Sequence, residues 1–272
     1  QLSVTEIETW MRDPYSIYAR RILKLRPLNP LDQDVSAADY GSLVHHALRL
    51  FIEAHPTGPL PDDALPQLLK IGDDVFKKDA LRPGVLAFWE PRFERIAEWF
   101  VRTEDTRRHE LGRAYVEISG ELTLQGPAGP FKLTGKADRI DRSTDGRITI
   151  IDYKTGTPPS NEEVIAGFSP QLPLEAAMIA VDGFPEVPKG TLEALSFWHL
   201  HGRGEGGKEF IVDGDAEAMA AEARKGLSEL IAKFDDPNTA YEARPNPAYA
   251  PAFSDYGHLA RVKEWAAGED EA

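Results

Sequence analysis

Apolar positions in the first 110 residues recur at helical spacing. Ser3-Val4-Thr5-Glu6 reads as a capping box, with Leu2 and Ile7 placed to staple it, and predicts a short helix to about Met11. Asp13-Pro14 predicts a second start, with Tyr15, Tyr18, Ile22 and Leu25 on one face, ended by Pro27 and Pro30. From position 36 to about 54, Tyr40, Leu43, Val44, Ala47, Leu48 and Phe51 keep the helical period. A Pro/Gly-rich loop follows. Two more helices are expected over 62–80 and 84–108, the second apolar at Val85, Phe88, Trp89, Phe93, Ile96, Trp99 and Phe100.

The period then changes from 3.6 to 2. Residues 113–124 and 131–141 alternate around a Gly/Pro turn, and 147–153 carry Ile148, Ile150 and Ile151 as a buried third strand. A helix is expected over 171–181, two strands over 192–201 and 209–212, and a helix over 215–234. Residues 244–251 read as an extended Pro-rich tail and 256–267 as a last short helix. The order predicts an α/β fold: a mixed sheet flanked by helices, with a helical N-terminal elaboration.

Charge and composition narrow the chemistry. There are 45 acidic and 31 basic residues, a net charge of −14, so bulk charge would not hold nucleic acid. Cysteine is absent, which excludes disulfides, thiolate metal sites and cysteine nucleophiles. No export signal or membrane span is visible, so a cytoplasmic location is expected. The start at Gln1 suggests a domain cut from something larger.

The informative segment is Gly135-Lys136-Ala137-Asp138-Arg139-Ile140-Asp141 with Ile150-Ile151-Asp152-Tyr153-Lys154-Thr155-Gly156. A hairpin turn centred on Asp145 sets Asp138 opposite Asp152. Facing carboxylates repel, and a divalent cation between them reverses that cost. Lys154 shares a strand face with Asp152, where its charge can stabilise a reacting phosphate. The same residues also suit a strand end near a turn, with Lys154 as a solvated ion-pair partner.

Together these segments resemble the RecB-type branch of the PD-(D/E)XK nucleases. Gly41-Ser42-Leu43-Val44-His45 is similar to the branch's helical Gly-x-x-x-His motif, and Gln171 to its glutamine motif. Leu2-Ser3-Val4-Thr5-Glu6-Ile7-Glu8 and Asp13-Pro14-Tyr15, with His258-Leu259-Ala260-Arg261 near the other end, look like the nuclease domains of AddB-type subunits of bacterial helicase–nucleases.

The resemblance implies a PD-(D/E)XK (restriction-endonuclease-like) core over 111–235, a helical part over 1–110 carrying the His motif, and a tail over 236–272. It implies metal ligation by His45, Asp138, Asp152 and the Tyr153 carbonyl, and catalysis by Asp138, Asp152 and Lys154. Gln171 would bind near the active centre or the DNA backbone. A first-strand glutamate is also expected: Glu117 is favoured, with Glu121 on the same face. The cofactor would be Mg²⁺, with Mn²⁺ able to replace it. The implied function is exonuclease action on unwound single strands in double-strand break repair. DNA, an AddA-type helicase–nuclease subunit and a helicase-like N-terminal part of the full-length chain would be the partners, with no membrane. A nuclease fold used only as a scaffold is the alternative.

Many relatives carry an iron–sulfur cluster on four cysteines. This chain has none, so no such cluster is expected and packing must join its ends, through Trp10, Tyr15, Tyr18 and Trp265.

Arg20, Arg21 and Lys24 lie in a basic segment and are candidate DNA contacts. Trp89, Phe93, Trp99 and Phe100 read as core, and Arg107-Arg108 as a solvated face. His199 and His201 share a strand face without a further ligand nearby.

Overall fold

A computed structural model describes residues 1–28, 36–79, 83–251, 253–261 and 264. Helix α1 (Val4–Arg12) starts at the expected capping box: Ser3 Oγ accepts from the Glu6 N–H and the Glu6 carboxylate accepts from the Ser3 N–H. Helix α2 (Pro14–Ile17) widens into a π-turn over Tyr18–Ile22. The expected single apolar face fails there, because the wider turn breaks the 3.6 period and leaves Ile22 and Leu25 exposed.

Helices α3 (Ala37–Ala54), α4 (Ala64–Asp79) and α5 (Pro83–Arg107) follow. They bury Tyr40, Val44, Phe51, Phe76, Phe93, Trp99 and Phe100 against Ile151, Tyr153 and Trp198 of the sheet. Trp89, Phe93, Trp99 and Phe100 are therefore core. Phe88 departs from the expectation and is 72% exposed, since it falls on the outer side of α5.

The sheet is mixed and has six strands: β1 (Leu2–Ser3), β2 (Leu111–Gly126), β3 (Gly129–Ser143), β4 (Arg147–Lys154), β5 (Thr191–His199) and β6 (Lys208–Ile211). Strands β2–β3–β4 are antiparallel neighbours, β4 and β5 are parallel, and β6 returns antiparallel. The parallel step needs a crossover, supplied by α6 (Asn161–Ile165) and α7 (Gln171–Ile179). With α1 and α8 (Ala216–Asp235), α7 covers the other sheet face over Leu133, Ile140, Ile148, Ile150 and Phe197. Adjacent Ile150 and Ile151 thus serve opposite cores, which is why that run reads as continuously apolar. Strand β1 and helix α6 are too short to show in the periodicity.

One edge of β3 is shared. Strand β1 pairs with it in parallel at Leu133–Thr134, and β4 pairs with it from Arg139 to Arg142. The stretch from Gly135 to Asp138 between them has no strand partner on that side. Side-chain phase also reverses here. Ala137 joins the α7 core, whereas Arg139, two residues on, is buried with Glu104 and Trp198 on the helical side. Strict alternation would put both on one face.

Arg107 and Arg108 are not a solvated face. Arg108 is buried against Glu104, and Arg107 bridges Asp141 and Glu209. At the centre Arg139, 0% exposed, donates through Nε and Nη2 to Asp141 at 2.6 and 2.8 Å and pairs with Glu104. Burying this guanidinium is tolerable only because two acidic partners face it with good hydrogen-bond geometry.

The first helices and the tail are joined without a metal staple. Ser254 Oγ donates to Asp13 at 2.8 Å, and Tyr256 Oη donates to the Leu25 carbonyl at 2.9 Å. Trp10 packs on Phe131 and Phe234, and Tyr18 on Tyr15 and Tyr241. Trp265 lies outside the described residues. The last expected helix is not continuous: 255–261 form turns, and most of the remainder lies outside the described residues. Among the described residues no helix is long and apolar enough to cross a membrane.

Candidate active site

The hairpin register is the expected one. Arg139 pairs with Ile151 and Ile140 with Ile150, so Asp138 and Asp152 are the opposed residues just past the last rung. Beyond it β4 loses its partner, and the Asp138 side chain takes over: Oδ2 accepts the Tyr153 N–H at 2.9 Å. A backbone donor that would otherwise be orphaned is thereby satisfied.

Three elements converge on Asp138. His45 from α3 places Nδ1 3.4 Å from Oδ2. Glu117 of β2 stands opposite, and ligand atoms of His45, Glu117 and Asp138 lie within 4.8 Å of one another. Glu121 turns away to an exposed ion pair with Lys132. Glu117 also pairs with Lys136, the residue two before Asp138. Gly41 lets α3 come this close, because a Cβ there would meet Thr155 Oγ1 at 2.8 Å. Gly135 does the same for α7, with Met178 Cε at 3.1 Å from a Cβ position.

Asp152 heads a second, linked group and stands apart from the His45–Glu117–Asp138 triad. Its carboxylate is 2% exposed. Lys154 Nζ lies 2.7 Å from Oδ2, and Gln171 Nε2 donates to Oδ1 at 2.6 Å. Lys154 also donates to Gln171 Oε1 at 3.3 Å, which fixes the amide's orientation. The ammonium sits off the line of a hydrogen bond to Oδ2, so that buried oxygen keeps unfilled acceptor capacity.

The charges shape one another. Burial pushes Asp152 up to about 6, and Asp138 adds to that while Lys154 opposes it. Burial acts on Asp138 in the same sense, but His45, the Tyr153 N–H and Lys154 prevail and hold it below its usual value. His45 is lowered by burial yet ends raised, because Asp138 outweighs that. Lys154 is likewise raised despite burial, through Asp152. A lysine raised in this way stays charged, so it stabilises negative charge and does not take up a proton.

The nitrogen and carboxylate donors of His45, Glu117 and Asp138 fit a divalent cation such as Mg²⁺ or Mn²⁺, with the buried Asp152 carboxylate of the linked group beside them. Such an ion would offset the burial, and after it the Asp138 charge, that raise Asp152.

The sequence reading gave Glu175 no role in the site. It is 1% exposed, and Gln171 Nε2 donates to its Oε1 at 3.4 Å. Burial, then Asp152 and Asp138, hold its carboxyl well above the ordinary range, which favours its neutral form. A lone acid in the apolar run 172–178, one turn after Gln171, was the available signal. The candidate DNA contacts are elsewhere: Arg21 is held by Glu6 at 2.7 Å, Arg20 lies 3.9 Å from Asp255, and Lys24 is exposed. None of the three joins the groups just described.

Comparison with known proteins agrees with this geometry. The family profile described as the PD-(D/E)XK nuclease superfamily matches residues 1–251. A protein of Rickettsia bellii, described as uncharacterized, is 36% identical over 67% of this chain and 22% of its own length. One of Rickettsia conorii, also described as uncharacterized, is 34% identical over 67% and 22%. The chain thus spans about a fifth of the curated relatives it matches. Among solved structures, the crystal structure of SSO0001 aligns over 78% of this chain and 84% of its own, at 13% identity and a TM-score of 0.28, too distant to bear on the fold. With its mixed sheet, its strand-gap carboxylates and a profile match over nearly its whole length, the chain belongs to the PD-(D/E)XK nuclease superfamily.

Proposed function

We propose that this chain is the nuclease domain of an AddB-type subunit, a Mg²⁺-dependent deoxyribonuclease that cuts single strands unwound by an AddA-type helicase–nuclease partner. Its setting would be double-strand break repair in the cytoplasm, next to a helicase-like N-terminal part of its own longer chain. One observation carries the reading: His45, Glu117 and Asp138 meet Asp152, Lys154 and Gln171 at the strand gap between β3 and β4. The end motifs support the AddB-type assignment, and the chain departs from many such relatives in lacking the iron–sulfur cysteines.

His45, Glu117, Asp138, Asp152 and the Tyr153 carbonyl would hold the ion. When bound, it supplies Lewis-acid stabilisation of charge building on the phosphate. Lys154 adds a fixed positive charge on the same side, in a site where burial strengthens it. Gln171 holds Asp152 and Lys154 in one orientation through its two amide ends. Glu175 braces Gln171, and its raised pKa, set first by burial, limits the negative charge it adds there.

The test is cleavage of linear and single-stranded DNA in Mg²⁺ by wild type and Lys154→Ala. The expected result is cleavage by the wild type and a loss of about a hundredfold or more in the variant, comparable to removing a preorganised charge-stabilising group. Equal cleavage by both would overturn the role of Lys154. If neither cuts and calorimetry shows no Mn²⁺ binding, the nuclease reading itself fails and a scaffold role takes its place.

A further inference from the structure

The catalytic lysine is the first member of a row that crosses three strands. Lys154 on β4 is in register with His199 on β5, and His199 is in register with Lys208 on β6. Residues in register share a face, so these three side chains project on the same side. The preceding same-face set is Asp152, Phe197 and Phe210. Neighbouring strands are about 4.8 Å apart, so the row runs roughly 10 Å from the catalytic lysine to the sheet edge.

The outer end of this row differs from the rest of an acidic protein. Phe210 is 38% exposed, although it lies on an edge strand. Lys208 Nζ lies 4.7 Å from its ring centroid and has no carboxylate partner among the described residues. His199 packs between the ring of Phe210, at 6.3 Å, and that of His201, at 5.0 Å edge-on. Burial and His201 keep His199 below its usual pKa, so it presents a neutral ring. Glu209, the acid on this strand, points to the opposite face, where it binds Arg107, Ser196 and Trp198.

An exposed aromatic ring with an unpartnered lysine on it, in line with a phosphodiester-cleaving centre, has the chemistry of a single-strand subsite. Unpaired bases offer a π-face to stack, and their phosphates offer charge. A duplex hides its base faces, so this patch would not recognise one in that way. We propose that the strand being cut leaves the catalytic centre along Lys154, His199 and Lys208, with one unpaired base stacked on Phe210 and the adjacent phosphate on Lys208. This rests on the nuclease reading above and adds the path of its substrate.

The test uses the 272-residue chain with Ca²⁺ in place of Mg²⁺ to suppress cleavage, and a fluorescent oligothymidylate as the probe. Phe210→Ala should weaken binding by about five- to a hundredfold, the range for one lost stacked base. Phe210→Trp should restore it. Lys208→Ala should weaken binding and flatten its salt dependence. Mn²⁺ calorimetry should give the wild-type affinity for all three, since none touches the ion site, and this also reports that they are folded. If the wild type binds the probe and cleaves DNA while Phe210→Ala does both equally well, this path is overturned and the nuclease reading stands. If the wild type neither cleaves nor binds the probe, both are overturned.

Discussion

Glu117 stands opposite Asp138, between the Val116–Arg139 and Ile118–Ala137 pairs, and does so with left-handed backbone at φ 53°. That conformation costs a non-glycine residue about 1–3 kcal/mol. It accompanies the reversal of side-chain phase that brings Glu117 and Asp138 together beneath His45. Mn²⁺ calorimetry reads the consequence. His45→Ala and Glu117→Gln should each lower affinity by at least about tenfold. Glu121→Gln should leave it unchanged, because Glu121 points to Lys132.

Gly41 supports the same triad from one helical turn away. Gly41→Ala drives a methyl group into Thr155 and should displace α3 at His45. The expected result is several-fold weaker Mn²⁺ binding. Removing the obstacle in the double variant Gly41→Ala, Thr155→Ala should recover most of it.

Glu175 gives the fold a pH dependence with a definite sign. Its ordinary pKa is 4.5 and its folded value lies well above that, from burial first and then from Asp152 and Asp138. The folded form therefore keeps a proton that the unfolded chain releases. This contribution to stability is full below pH 4.5 and is lost as pH rises toward the folded value. Glu175→Gln should match wild type at pH 4 and exceed it by about 1–3 kcal/mol at pH 8. Urea unfolding in a chelator measures the difference between the two proteins.

Arg139 belongs to the Asp-Arg-Ile-Asp motif, yet it faces away from the catalytic groups into the buried charge cluster. Arg139→Met should cost about 3–5 kcal/mol, since Glu104 and Asp141 lose their shared partner. Arg139→Lys should recover little, because an ammonium cannot fork onto Asp141 and reach Glu104 as well. Thermal unfolding reads both.

Much of this was legible in the amino-acid order. Period 3.6 marked α3, α4 and α5, which bury one side against a single core, and period 2 marked β2 and β3 on either side of their phase break. The turn at Asp145 set the register that opposes Asp138 and Asp152. What stayed hidden was whatever a fixed period cannot express. The π-turn after α2 turned Ile22 and Leu25 outward. The phase break near Glu117 made its choice over Glu121 a matter of geometry. Arg107 and Arg108 read as a solvated face because charge is usually solvated, and only long-range partners allow their burial. Glu175 was passed over because its site neighbours, Gln171 excepted, are distant in sequence.

The order in which the ligands occur along the chain has a consequence for synthesis. His45 is made long before Glu117, and Lys154 follows both Asp138 and Asp152. A ribosome-bound chain that has not yet reached Lys154 holds only part of the candidate site. The strand gap that receives the ligands exists only once β4 has paired with β3. Gln171, which orients both Asp152 and Lys154, and strand β5, which flanks β4, come later still, so the site is whole only once most of the sheet has been made.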